Sequence, residues 1–82
     1  GAVATEGDVY VFARRDLTSG DVVVVALNRG DAEGRAAFPP PPEWAGLAPV
    51  DALGALSPVM EGGSLAIALP PRTAAILTAP RR

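Results

Sequence analysis

The sequence contains no cysteine, no histidine and no lysine, and its seven basic residues are all arginine. Without cysteine there are no disulfides or thiolate metal sites, and without histidine there is no Ser-His-Asp triad and no His-ligated zinc. The absence of lysine excludes Schiff-base chemistry. Arginine does not deprotonate in proteins, so nine carboxylates are the remaining acid and base groups. We therefore expect no catalytic residue, no metal and no cofactor in this chain.

The chain also has no large excess of charge of one sign and no long apolar run. The formal net charge is -2, which provides no basic surface for nucleic acid. No apolar run approaches the roughly 20 residues of a membrane-spanning helix. We expect neither a nucleic-acid nor a membrane partner. The 82 residues begin with glycine rather than methionine, and we interpret them as one domain of a longer protein.

Short apolar runs separated by glycine and proline make up most of the chain. There are nine residues of each of these two types, and their clusters mark turns. No stretch shows the sustained 3.6-residue periodicity of a helix. The pattern predicts an all-β domain, an antiparallel Greek-key β-sandwich of about seven or eight short strands. The predicted strands are residues 2–5, 9–15, 22–28, 34–38, 48–53, 64–69 and 73–79, and the four prolines at 39–42 form an extended connector.

One predicted hairpin is apolar on both faces. Residues 9–13 and residues 22–27 are apolar at every position, whereas an antiparallel strand with one wet face alternates between polar and apolar residues. In one interpretation, loops and neighbouring segments cover the second face, or its residues are tolerated in water. In the other, the hairpin docks on a further domain. The predicted docking residues are then Val9, Val11, Val23 and Val25.

The carboxylates offer little for chemistry. Most of them fall at predicted turns, and a glycosidase-type pair needs a cleft for which so small a sandwich has little room. The pair Asp31 and Glu33, or the loop that contains Asp16 and Asp21, presents oxygen ligands of the kind that calcium prefers. No EF-hand spacing is present, so we interpret these acids as turn residues.

Two aromatic residues are candidates for stacking on a sugar ring. Trp44 follows the proline run and precedes Gly46, so a loop could display it. The alternative for Trp44 is a ring folded over the end of the sandwich, where it enlarges a small core. Tyr10 is the second candidate, and its alternative is packing beside Phe12 on one strand face.

Four segments form a recognisable succession along the chain. These are VYVFARR at residues 9–15, VVALN at residues 24–28, Trp44 ahead of a short strand, and LAIALPPRTAAIL at residues 65–77. In this order they resemble the C-terminal β-sandwich domain of the α-amylase superfamily, glycoside hydrolase family 13. The resemblance covers nearly the whole chain, from about residue 8 to residue 79.

The resemblance implies a sandwich that follows a catalytic (β/α)₈ barrel in enzymes acting on α-glucans. In such enzymes the retaining two-carboxylate chemistry belongs to the barrel, and no position of this chain matches its catalytic residues. The expected function is a non-catalytic domain that packs on the barrel of its own chain and stabilises it. The parent protein is then a retaining hydrolase or transglycosylase. Two alternatives stay open, an α-glucan-binding module and an immunoglobulin-like interaction domain.

Overall fold

The computed structural model describes residues 2–54 and 56–80 and shows two antiparallel sheets packed face to face. One sheet has the strand order β1-β2-β3-β8-β5 and the other has the order β4-β7-β6. The predicted all-β sandwich is confirmed. The strands are β1 (Ala2–Glu6), β2 (Val9–Arg15), β3 (Val22–Asn28), β4 (Gly34–Phe38), β5 (Val50–Asp51), β6 (Val59–Glu61), β7 (Ser64–Leu69) and β8 (Ala74–Thr78).

The connection between the sheets is of the Greek-key type. After the β2–β3 hairpin, the chain crosses to the smaller sheet as β4 and later returns to lie beside β3 as β8. The hairpin is in continuous register from the pair Val9 and Asn28 to the pair Arg15 and Val22. Strand β8 pairs with β3 on the other side, with Val25 opposite Ile76. Strand β3 therefore lies at the centre of the larger sheet.

The hairpin loop is formed by the residues predicted to turn. The carboxylate of Asp16 accepts hydrogen bonds from the backbone N–H groups of Thr18, at 2.8 Å, and Ser19, at 3.4 Å. Gly20 has a φ of 78°, a left-handed conformation that glycine adopts without steric cost. The N–H of Asp16 donates to the carbonyl of Asp21 at 2.8 Å and closes the loop.

The core lies between the two sheets and consists mostly of aliphatic side chains. Strand β7 contributes Leu65, Ile67 and Leu69, with exposed fractions of 0%, 4% and 0%. Large buried side chains therefore alternate with smaller, more exposed ones along this strand, as expected of a strand with one face on the core. The other members of the cluster are Val9, Val11, Val24, Ala26, Ala36, Phe38, Trp44, Ala75 and Leu77.

Asn28, at the end of β3, is the buried polar residue of the described chain. Its side-chain amide donates to the carbonyls of Ala32, Leu69 and Pro70 at 2.9, 3.0 and 3.1 Å. Its side-chain oxygen accepts the N–H of Gly30 at 2.9 Å. Asn28 therefore connects the turn after β3 to the end of β7 in the opposite sheet.

The second half of the chain departs from the predicted strands. The predicted strand at residues 48–53 is reduced to Val50–Asp51, and the strand Val59–Glu61 was not predicted. The proline connector ends in a short 3₁₀ helix, Pro42–Trp44. Within residues 2–54 and 56–80, no helix has both the length and the apolar character needed to cross a membrane.

Candidate functional site

The candidate site is the surface of the five-stranded sheet that points away from the smaller sheet, which we call the outer face. The hairpin register places Tyr10 opposite Leu27 and Phe12 opposite Val25. Directly opposed residues of neighbouring strands point to the same side of a sheet. The outer face comprises Tyr10, Phe12, Arg14, Val23, Val25, Leu27, Val50, Ala74, Ile76 and Thr78.

Large apolar side chains dominate the outer face. Phe12 and Leu27 are 38% and 37% exposed, and the neighbouring Val23, Val25 and Ile76 are half-buried. Side chains on the water-covered face of an antiparallel sheet are usually polar. The largest apolar patch on the surface of a monomeric protein is often functional, and contact with another protein is one such function.

The structure divides the four predicted docking residues between the two faces of the hairpin. Val9 and Val11 are 1% and 0% exposed and point into the core, so the docking prediction is corrected for these two. Val23 and Val25 belong to the outer face. Both sets of alternate positions in β2 are apolar, so the sequence did not reveal which set faces the second sheet. The outer residues of β2 are Tyr10 and Phe12.

Arginine side chains border the apolar patch at both ends of β2. Arg14 follows Phe12 on the outer face and is exposed. The guanidinium carbon of Arg29 lies 5.7 Å from the centroid of the Tyr10 ring, within range of a cation–π interaction. Tyr10, predicted as a sugar-stacking residue, is thus half-buried beside Arg29 and belongs to the outer face.

Trp44 lies in the core and not on a displayed loop. Its side chain is 6% exposed, and its indole N–H donates to the carbonyl of Val22 at 3.1 Å. A buried indole with a hydrogen-bond partner is the arrangement expected of a structural tryptophan. The hypothesis of a sugar-stacking Trp44 therefore loses the exposed ring on which it depended.

A cleft of about 570 Å³ opens between the ends of β2 and β3 and the proline connector at residues 39–42. The aromatic ring in its lining, Phe38, is 2% exposed, so the cleft offers little ring surface for a sugar. Arg15 pairs with Glu43 at its rim. The backbone N–H of Glu43, and then the Arg15 guanidinium, hold the pKa of the Glu43 carboxyl below its ordinary value.

Two further carboxylates of the described residues accept hydrogen bonds, one from backbone N–H groups and one from an arginine. The Asp51 side chain accepts hydrogen bonds from the N–H groups of Leu53 and Leu56, both at 3.0 Å. Asp31 accepts hydrogen bonds from the guanidinium of Arg72 at 2.6 and 2.8 Å. In the part of the chain that the structure describes, no three acidic, histidine or cysteine side chains are grouped to hold a metal ion.

The described outer face combines an apolar centre with cationic edges. Its elements are an apolar patch on three adjacent strands and two arginines at the edge of that patch. Comparisons with models of protein families, with curated proteins and with solved structures find no match for this chain.

Proposed function

We propose that this chain is a non-catalytic accessory domain that docks by its outer face on the catalytic (β/α)₈ barrel of its own polypeptide. The observation that carries the proposal is the apolar outer face, on which Phe12 and Leu27 remain more than one third exposed. The resemblance of the four sequence segments to α-amylase-type enzymes supports the identity of the partner. In this proposal the barrel performs retaining chemistry on α-glucans with two carboxylates.

The size of the outer face favours a partner within the same polypeptide. Strands spaced about 4.8 Å apart, with a rise of about 3.3 Å per residue, give the patch an area of roughly 300 Å². Docking then buries roughly 600 Å² on the two partners together, which lies at the lower end for domains of one chain. Stable complexes of separate chains bury about 1,200 Å² or more. A covalent connection compensates for a small interface because it raises the effective concentration of the partner.

The packing of the hairpin against the smaller sheet holds the outer side chains in place before docking. The inner side of β2 and β3 is packed against the smaller sheet, with Val11 and Val24 both 0% exposed. The outer side chains therefore project from a rigid sheet and lose little conformational freedom on docking. Burying a fully exposed phenylalanine is worth about 1.5 to 3 kcal/mol, and Phe12, which is 38% exposed, gains the corresponding fraction on docking. Docking thus adds to the stability of both domains.

The first experiment joins the chain to the residues encoded upstream of Gly1. We expect the longer product to hydrolyse maltooligosaccharides, and residues 1–82 alone to be inactive. Deleting residues 1–82 from the longer product should lower its melting temperature. Hydrolysis by residues 1–82 alone, or an upstream region without glycosidase activity, would contradict the proposal.

A pair of matched variants then tests the outer face itself. Val25 lies on the outer face, whereas Val59 lies on the smaller sheet and is 50% exposed. Val25→Thr should lower the melting temperature of the longer product, because it places a hydroxyl in the interface, whereas Val59→Thr should not. Equal effects of the two substitutions would show that the outer face is not the interface.

A further inference from the structure

The distribution of charge on the outer face differs from that of the whole chain. Acidic residues outnumber basic ones, nine to seven. Among the side chains that the structure describes on the outer face, none is a carboxylate, and Arg14 is the charged one. Arg29 adds a second guanidinium beside Tyr10. The edge of the apolar patch is therefore cationic on an otherwise acidic chain.

Of the arginines that the structure describes, the three away from the outer face each have a carboxylate partner. Arg15 pairs with Glu43, Arg35 with Glu33 at 3.2 Å, and Arg72 with Asp31 at 2.6 Å. Among the described arginines, the two without an ion pair are those that border the outer face, Arg14 and Arg29.

We propose that the surface docked on the outer face carries two carboxylates, one that pairs with Arg14 and one that pairs with Arg29. This inference rests on the proposed docking function. Arg29 lies beside Tyr10, and Arg14 is four residues further along β2. At a rise of about 3.3 Å per residue, the two carboxylates lie about 13 Å apart, on either side of an apolar centre.

The same charges disfavour a second copy of this chain as the partner. Two outer faces placed against each other would bring cationic edges together, and like charges across an interface reduce affinity. A partner with carboxylates at matching positions gains two ion pairs instead. The contact between Arg29 and Tyr10 also restrains the guanidinium before docking, which lowers the entropy lost when the ion pair forms.

The test uses the longer product described above, with hydroxyl-radical labelling of Phe12 and Leu27 as the measure of docking. The variants are Arg14→Gln, Arg29→Gln and the double variant. The matched control is Arg35→Gln, because Arg35 is an exposed arginine on the smaller sheet. Melting temperatures of residues 1–82 carrying each substitution verify that the domain still folds.

We expect each outer-face substitution to reduce the ratio of docked to undocked molecules about two- to fivefold. Raising the salt concentration from about 0.01 M to about 1 M should reduce docking of the parent sequence and have less effect on the double variant. Arg35→Gln should behave as the parent sequence. If Phe12 is protected and neither salt nor the two outer-face substitutions change this protection, the proposal of two carboxylates on the docked surface is wrong. The proposed docking function would still stand. No protection of Phe12 in the parent sequence would overturn both.

Discussion

The indole N–H of Trp44 donates to the main-chain carbonyl of Val22 at 3.1 Å, which connects the short 3₁₀ helix to the first residue of β3. The ring itself is 6% exposed and belongs to the core cluster. One residue thus fixes the end of the proline connector against the hairpin and supplies the largest ring in a small core. This relationship makes Trp44 a structural residue, and its consequences can be measured.

Trp44→Phe removes the hydrogen bond and leaves a smaller ring in the core. The substitution deprives the carbonyl of Val22 of its indole donor, so we expect a loss of about 1 to 3 kcal/mol in the free energy of unfolding. Urea denaturation followed by circular dichroism measures this loss. Leu17→Ala, at a side chain that is 93% exposed, should change stability by less than about 0.5 kcal/mol. A Trp44→Phe protein as stable as the parent would show that the hydrogen bond contributes nothing.

Asn28→Asp replaces the donor that three carbonyls share. The carboxylate can still accept the N–H of Gly30, but it faces the carbonyl oxygens of Ala32, Leu69 and Pro70 without a proton. We expect a loss of about 3 kcal/mol or more at neutral pH, because a buried charge is left unpaired. A protonated carboxyl can donate to one of these carbonyls. The difference in the free energy of unfolding between the variant and the parent should therefore become smaller as the pH falls. A difference that does not change with pH would contradict this explanation.

Two glycine substitutions separate steric crowding from backbone strain. In Gly34→Ala the new methyl group would overlap the side chain of Val9, which is 1% exposed and cannot move aside. We expect a loss of at least about 1 to 3 kcal/mol. In Gly20→Ala the methyl group enters open space, but the φ of 78° is unfavourable for alanine, at a cost of about 1 to 2 kcal/mol. Thermal unfolding measures both losses. A Gly34→Ala protein as stable as the parent would contradict the close packing of β4 on β2.

Two exposed carboxylates make the stability of the domain depend on pH. The N–H groups of Thr18 and Ser19 lower the pKa of Asp16, and the N–H of Glu43 together with Arg15 lowers the pKa of Glu43. A carboxyl whose folded-state pKa is depressed stabilises the fold above its unfolded-state pKa, and this stability is lost as the pH falls through the folded-state value. The melting temperature should therefore fall in acid. Asp16→Asn and Glu43→Gln should each weaken the dependence of the melting temperature on pH. If the melting temperatures of the variants fall with pH as steeply as that of the parent, these two carboxylates do not cause the acid response.

The sequence predicted the local structure well where alternation and turn residues agreed. The bounds of β2, β3, β4 and β7 match the prediction, and the turn that Asp16 and Gly20 form was expected from their residue types. Strand β6 escaped prediction because its three residues are all exposed and lie at a sheet edge, so no core pattern identifies it.

The candidate site was predicted only in part. The apolar character of both hairpin faces indicated a docking surface, but it could not show which alternate residues point inward. That choice depends on the pairing of β2 with β3 and on the position of the smaller sheet, which places Val9 inside and Tyr10 outside. The burial of Asn28 was also missed, because its carbonyl partners in the turn and at the end of β7 come together only in the folded chain.

The central claim is that the outer face is covered by another domain of the same polypeptide. Hydroxyl-radical labelling with mass spectrometry tests it directly, by comparing residues 1–82 with the product extended upstream of Gly1. Phe12 and Leu27 should be labelled in the 82-residue chain and protected in the extended product, whereas Met60, which is 46% exposed on the smaller sheet, should be labelled equally in both. Equal labelling of Phe12 and Leu27 in the two proteins would contradict the claim.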